Sequence, residues 1–292
     1  MTGTSPTCLA RAAEAIGGAR PGGAEAVPST TGRGTARDVR AAARTRLEHH
    51  AAIWNERPLV RQIYRDYHER IRRAMSRVGG VHLEVGAGHG SFAESFDGVV
   101  SCDVVPCPWL SCAADASCLP FCDESLANIV MIDVLHHLPG PARFFAEAVR
   151  TLAPGGRIVL LEPYVSPVSF LAWRFVHDED LCLSADPLAS PKAVPRGERL
   201  PEDPWHANTA IPTLLFWRDL PRFSRCFPDL RVLTRERFDT LVYPLSGGFE
   251  QRRLLPTWAV PLARRVEKGL NLFAGLLAFR CFIVLEKPAR AA

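Results

Sequence analysis

Apolar and polar positions along the chain fall into two kinds of run. Between Ala36 and Val78, the residues Trp54, Leu59, Ile63, Tyr64, Tyr67 and Ile71 recur at near-helical spacing among Arg and Glu. That spacing predicts one helix, or two broken near Pro58. From Val81 onward, short apolar runs alternate with amphipathic ones. "VHLEV" reads as a strand, "SFAESF" as the opening of a helix, and "GVVSCDV" as a second strand ending in Asp103. "SCAAD" is a short strand ending at Asp115, and "NIVMIDVL" is a fourth strand. "PARFFAEAVRTLA" is an amphipathic helix stopped by "PGG" ahead of a fifth strand, "RIVLLEP". Two later strand patterns, in "DLRVLTRERFDTLVYPLSGG" and "FRCFIVLEKP", can complete the sheet. Apolar strands separated by helices imply a mostly parallel, seven-stranded sheet covered on both faces, a doubly wound α/β fold with its ligands at the carboxyl ends of the strands.

The flanks differ from this core. Residues 1–35, rich in Ala, Gly, Thr and Pro without apolar period, read as a flexible leader, and 36–78 as an N-terminal helical cap. Residues 79–163 form the core. Residues 164–229 carry repeated prolines and the polar-aromatic clusters "FVHDEDLCL" and "EDPWHANTAIPTLLFWRDL", the pattern of a partly helical lid or acceptor-binding insertion. Residues 230–292 return the chain to the sheet with a last helix. Within that helix "LNLFAGLLAF" is about half the roughly 20 residues a spanning helix needs. Packing against the sheet, or weak contact with a membrane surface helped by Arg264, Arg265 and Lys268, explains it equally well.

Composition narrows the partners. A net charge of +4, from 35 basic and 31 acidic residues, lacks the concentrated basic face that nucleic acid requires. Five of the nine cysteines (Cys102, Cys107, Cys112, Cys118, Cys122) crowd together without a CxxC pair, so they read as buried, reduced thiols and no metal site is expected. The chain opens without a charged, then apolar, then cleavable pattern, and a cytoplasmic setting is expected.

The chemistry concentrates after the first strand. Gly86, Gly88 and Gly90 alternate, with Ser91 where a dinucleotide fingerprint would place its third glycine. Glu84 puts a carboxylate beside this turn, which suits a ligand with a cationic amine better than a pyrophosphate. Together with Asp103 and the runs Asp115–Leu138 and Leu152–Pro163, this turn resembles the motifs of the class I S-adenosylmethionine (SAM)-dependent methyltransferases of the type 11-like family. Their first motif is an acidic residue followed by G-x-G-x-G. Asp103 matches the acidic residue that, by this resemblance, accepts hydrogen bonds from the ribose hydroxyls. "DASCLPFCDESLANIVMIDVLHHL" is similar to the family run "DA..LPF.D..FD.V....VLHH", and "LAPGGRIVLLEP" to its "L.PGG" turn. The resemblance implies that Asp115 accepts from the adenine amino group, that Ala116 presents its backbone, and that Asp133 to Leu135 line the methionine end. Asn128 departs from the family's usual Asp and is not expected to touch the cofactor.

The resemblance covers Val81 to Pro163 and implies SAM as cofactor and a small-molecule acceptor. The methyl of SAM is electrophilic without help, so the protein's main work is to align a nucleophile with it. An oxygen or carbon nucleophile needs a proton removed, and histidine is the economical base. His136 follows the fourth strand, while His177 and His206 lie in the insertion; they are the candidates in that order. The apolar and aromatic insertion favours an acceptor with hydrophobic or ring surface and O-methylation in specialised-metabolite or glycan biosynthesis. C- or N-methylation, an NAD-linked oxidoreductase, and a SAM-binding protein without catalysis remain alternatives.

Overall fold

The computed structural model describes residues 36–176, 179–189 and 204–290. The leader, residues 1–35, and His177 lie outside the described residues. Helix α1 (Ala36–Glu56) and helix α2 (Pro58–Ala74) meet at Pro58. Proline at the first helical position has no N–H to donate and its ring would crowd a preceding turn, so the single periodic stretch divides there.

Seven strands form one sheet: β1 (Val81–Val85), β2 (Val99–Asp103), β3 (Cys112–Ala113), β4 (Leu126–Ile132), β5 (Leu152–Pro163), β6 (Arg231–Phe238) and β7 (Arg280–Glu286). Their order is β3-β2-β1-β4-β5-β7-β6. The first five pair in parallel, and β7 runs antiparallel to both β5 and β6. The doubly wound, mostly parallel sheet expected from the pattern is therefore the observed one.

Side-chain alternation along the central strands splits the core into two. Ile129, Met131, Ile158, Leu160, Ile283 and Leu285 face one side, which α3 (Pro141–Thr151) covers with Phe144, Phe145 and Ala148. Val130, Val159, Leu161, Phe282 and Val284 face the other, where α2 contributes Val60, Ile63, Tyr64, Tyr67 and Ile71. A strand of period 2 buried on both faces needs apolar residues at every position, which is why these strands read as continuous runs.

Three local expectations are corrected. Ser91–Phe96 forms turns, not a helix, because eight residues separate Gly90 from β2 and Gly98 already turns back with φ 83°. The "PGG" segment does not precede β5 but lies inside it. There the register jumps from Leu126↔Leu152 to Asn128↔Arg157, and Gly155 (φ 81°) donates its N–H to Lys287 O. The cysteine cluster is neither uniformly buried nor uniformly reduced: Cys102 and Cys107 are buried, while Cys118 and Cys122 are exposed and Cys122 is disulfide-bonded. Part of residues 164–229 packs into the core. Leu215 and Phe216, with Phe223 of α5 (Leu220–Cys226), pack against Phe145 of α3.

Asn128, the departure from the family pattern, is fully buried and far from any ligand role. It accepts from Ser76 N at 2.7 Å, donates to Ser76 O at 3.0 Å and contacts His82 Nδ1 at 3.0 Å, tying the chain entering β1 to β4.

Candidate functional site

At the carboxyl ends of β1, β2 and β4 a cavity of about 760 Å³ opens. Glu84, Gly86, Gly88, Asp103, Asp115, Ala116, Asp133 and His136 all line it. Gly90 sits at the back of the same turn, donating its N–H to Ala87 O at 2.8 Å. His206 lines the cavity and is exposed at its mouth.

The glycine turn is built by backbone requirements. Gly86 has φ 69°, and a Cβ there would lie 2.4 Å from Val134 Cγ2, so only glycine lets β1 turn this close to the end of β4. Asp103 then locks the turn: its Oδ2 accepts from Gly88 N and its Oδ1 from Val105 N, both at 3.0 Å. Burial holds the Asp103 carboxyl above its usual range despite these bonds. Glu84 is buried beside it, and burial followed by the Asp103 charge pushes its carboxyl up to about 8. One Glu84 oxygen, Oε2, is buried with no hydrogen-bond partner. A buried carboxyl with an open acceptor, next to a turn of left-handed glycines, fits a ligand that carries positive charge. Asp115 Oδ1 accepts from Ser117 N at 2.8 Å and Ser117 Oγ at 2.7 Å, fixing the short connection after β3.

Asp133 leaves β4 in the left-handed region, φ 58°. Its carboxylate is engaged from below by Arg280 of β7 (2.8 Å) and by the Tyr64 hydroxyl of α2 (2.9 Å). Arg280 is itself fully buried and also donates to the Tyr243 hydroxyl at 3.1 Å. Sequence spacing could not reveal Arg280 here, because only the antiparallel return of β7 brings residue 280 under residue 133.

A second polar edge surrounds His136, in the helical turn Leu135–His137. Glu162, at the end of β5, is fully buried; its Oε1 accepts from Val134 N (3.0 Å) and Leu135 N (2.8 Å), and its Oε2 pairs with His136 Nδ1 at 2.7 Å. The Nε2 of His136 faces Glu179 Oε2 at 3.5 Å, and the Nε2 of His137 faces Glu179 Oε1 at 3.8 Å. Burial alone would lower the His136 pKa, but hydrogen bonds and charges of Glu162 and Glu179 push it up to about 10. His137, by contrast, is held down at about 4 by burial and by the neighbouring His136 charge. Sequence spacing does not mark Glu162 or Glu179 as functional. The doubled histidine of "VLHHL" is the one signal in the chain that points to His137.

The remaining wall is aromatic. His50 of α1 stacks on Phe249 with centroids 5.0 Å apart and meets Trp205 edge-on at 5.3 Å, and Trp173 of α4 (Pro167–Val176) closes another side. This wall comes from four separate stretches, including Tyr243–Gln251, which lies beyond the expected insertion.

The sheet order β3-β2-β1-β4-β5-β7-β6 and the glycine turn after β1 are those of the Rossmann-like fold of SAM-dependent methyltransferases. Residues 83–160 match the family described as a methyltransferase domain. No curated protein matches the chain. Among solved structures the chain is similar to a SAM-dependent methyltransferase from Thermotoga maritima, at 13% identity and TM-score 0.49, covering 85% of this chain and 99% of that one. It is also similar to a SAM-dependent methyltransferase from Archaeoglobus fulgidus, at 15% identity and TM-score 0.45, covering 78% and 94%. A Haloferax volcanii methyltransferase solved with its activator protein shares 15% identity over 86% of this chain and 98% of that one, with TM-score 0.46.

Proposed function

We propose that this protein transfers a methyl group from SAM to an oxygen of a small amphiphilic acceptor in a cytoplasmic biosynthetic route. The observation that carries the reading is the continuity of one cavity from the glycine turn to the aromatic wall and the histidine edge. When bound, SAM supplies an electrophilic methyl group. The chain's own residues do the rest. Glu84 and the glycine turn receive the cationic part of the cofactor, and Asp103 and Asp115 take the ribose and adenine donors. The Asp133–Arg280 pair fixes the floor, and the aromatic wall holds ring or hydrocarbon surface of the acceptor against the His137–Glu179 edge, with His206 at the mouth. Exclusion of water by Trp173, Trp205 and Phe249 and alignment of the nucleophile supply the main rate gain. Transfer of labelled methyl from SAM to amphiphilic hydroxyl compounds tests the reading; calorimetric titration showing no SAM binding would sink it.

The reading includes contact with a membrane surface. No helix among the described residues is long and apolar enough to cross a membrane. Yet helix α6 (Val260–Leu270) and the turns around it leave Trp258 (81% exposed), Leu262, Val266, Leu272 (85%), Phe273 and Leu276 uncovered. Only Ala263, Ala274 and Ala278 of this stretch are buried, so packing against the sheet accounts for the alanines and not for the large residues. The turn Ala274–Leu277 packs beside α4, whose Val168, Leu171 and Phe175 (78%) extend the same apolar face. Arg265 and Lys268 are exposed along it, which suits anionic headgroups. Because α4 carries Trp173 into the cavity from its other side, an amphiphile in the lipid layer would lie close to the acceptor wall. In vesicle flotation the protein should rise with anionic phosphatidylglycerol vesicles, and L272E with F273E should abolish this. Equal recovery of the double variant would remove the membrane part and leave the methyl transfer standing.

A further inference from the structure

The histidine edge has a geometry that alignment of an acceptor does not require. His136 and His137 are consecutive in the turn Leu135–His137, and their rings lie 4.3 Å apart between centroids, so both Nε2 atoms reach the same side. Glu179 faces both of them. One ligand atom from each of the three residues lies within 4.8 Å of the others. The two measured separations, 3.5 Å and 3.8 Å, exceed the roughly 2.7–3.2 Å of a good N–H···O bond. They lie near the edge of about 3.3 Å that separates two donors around a tetrahedral ion with bonds of about 2.0–2.1 Å.

The surroundings orient the ring in the manner of a metal ligand. Glu162 is anchored by two backbone N–H groups and holds His136 Nδ1 at 2.7 Å, which turns the Nε2 lone pair toward Glu179. Carboxylate–imidazole pairs of this kind fix the tautomer of metal-binding histidines. One donor atom from each of the three residues is thereby brought within 4.8 Å of the others, close enough for a single cation to reach all three. A proton serves one pair only, His136 with Glu179; a metal ion serves all three donors.

We propose that His136, His137 and Glu179 bind a divalent transition-metal ion, zinc in the first instance. Two imidazoles and one carboxylate suit zinc or its first-row neighbours, whereas magnesium prefers an all-oxygen shell. Three protein donors leave a position open to the cavity, where an acceptor hydroxyl could be held and made more acidic. Only this last role rests on the methyltransferase reading; the binding does not.

The test uses the full chain stripped with chelator and titrated with zinc chloride by calorimetry and with cobalt chloride by visible absorption. One ion per chain is expected, with visible cobalt bands of a nitrogen and oxygen site. H137Q and E179Q should each weaken binding at least about 10-fold, and E162Q by roughly 10- to 100-fold. SAM titration of the same variants reports on folding and should be unchanged in H137Q and E179Q. Ion binding that is absent, or equal in the parent and in H137Q and E179Q, overturns the proposal. Loss of SAM binding by the parent would instead overturn the methyltransferase reading while leaving the ion titration valid.

Discussion

At the scale of single residues, Glu84 and Gly86 carry the most specific consequences. Glu84 is held mostly protonated near neutrality, with its pKa at about 8, whereas a cationic ligand favours its charged form. Binding of SAM at pH 7 should therefore release a proton. Calorimetry in buffers of different ionisation enthalpy reads this directly, and E84Q should abolish the buffer dependence while weakening binding. Gly86→Ala meets both a left-handed backbone and the Val134 side chain at 2.4 Å. It should cost on the order of 2–3 kcal/mol of stability, visible as a lowered denaturation midpoint, together with most of the SAM affinity. Asp103→Ala removes the bond that ties Gly88 to β2 and, on the proposed function, an acceptor for the cofactor. Its SAM affinity should fall by about 1.5–3 kcal/mol by titration, and unchanged affinity would remove the ribose assignment.

Individual elements are legible in the sequence to the extent that their period is long enough to be unambiguous. All seven strand patterns and the two N-terminal helices are present; β4, β5 and β7 read as apolar runs because both their faces are buried, while the edge strands β3 and β6 are short or largely exposed. Ser91–Phe96 reads as a helix because its apolar pair, Phe92 and Phe96, is spaced as on one. In the fold the two rings stack 6.1 Å apart between centroids, in turns too short to become a helix. Glu84, Gly86, Gly88, Asp103, Asp115, Ala116 and Asp133 come together in one cavity because each stands at or just beyond the carboxyl end of one of β1 to β4. Arg280 is not legible in the sequence, since its partner Asp133 is distant along the chain and only the antiparallel placement of β7 joins them. That junction of β4, β7 and α2 yields its own prediction. Arg280→Met leaves the Asp133 carboxylate without its counter-charge and should destabilise by about 3 kcal/mol in denaturant titration. Adding Asp133→Asn should restore a large part of the loss, because the stranded charge goes with it; no recovery would mean that Arg280 acts through packing alone.

Across the whole molecule, buried titratable groups set opposing pH limbs. His68 and His89 are held neutral at about 3 and about 4, mainly by burial. Their folded pKa values lie below the unfolded ones, so the unfolded chain binds more protons, and stability is lost as pH falls from about 6.5 toward 4. Glu84 and Asp239 are pushed up to about 8 and about 7, chiefly by burial. Raised pKa values work the other way: their contribution is complete below about 4.5 and is lost as pH rises toward 8. Thermal unfolding of the ligand-free protein should thus be highest in mildly acidic buffer, and saturating SAM should flatten the alkaline limb by favouring ionised Glu84. A melting temperature that rises steadily to pH 8 without ligand would contradict this balance.

The cavity's two halves have different ancestries along the chain. The end proposed for the cofactor is one nearly continuous passage, Glu84 to Ser117, whereas the wall proposed for the acceptor is gathered from α1, α4, the segment at Trp205 and the segment Tyr243–Gln251. On the proposed function, substitutions in any one of those four stretches would reshape what is methylated without disturbing the turn proposed to hold the donor. A protein built this way can exchange its customer while keeping its supplier, and four short loops are where a redesign of its specificity would begin.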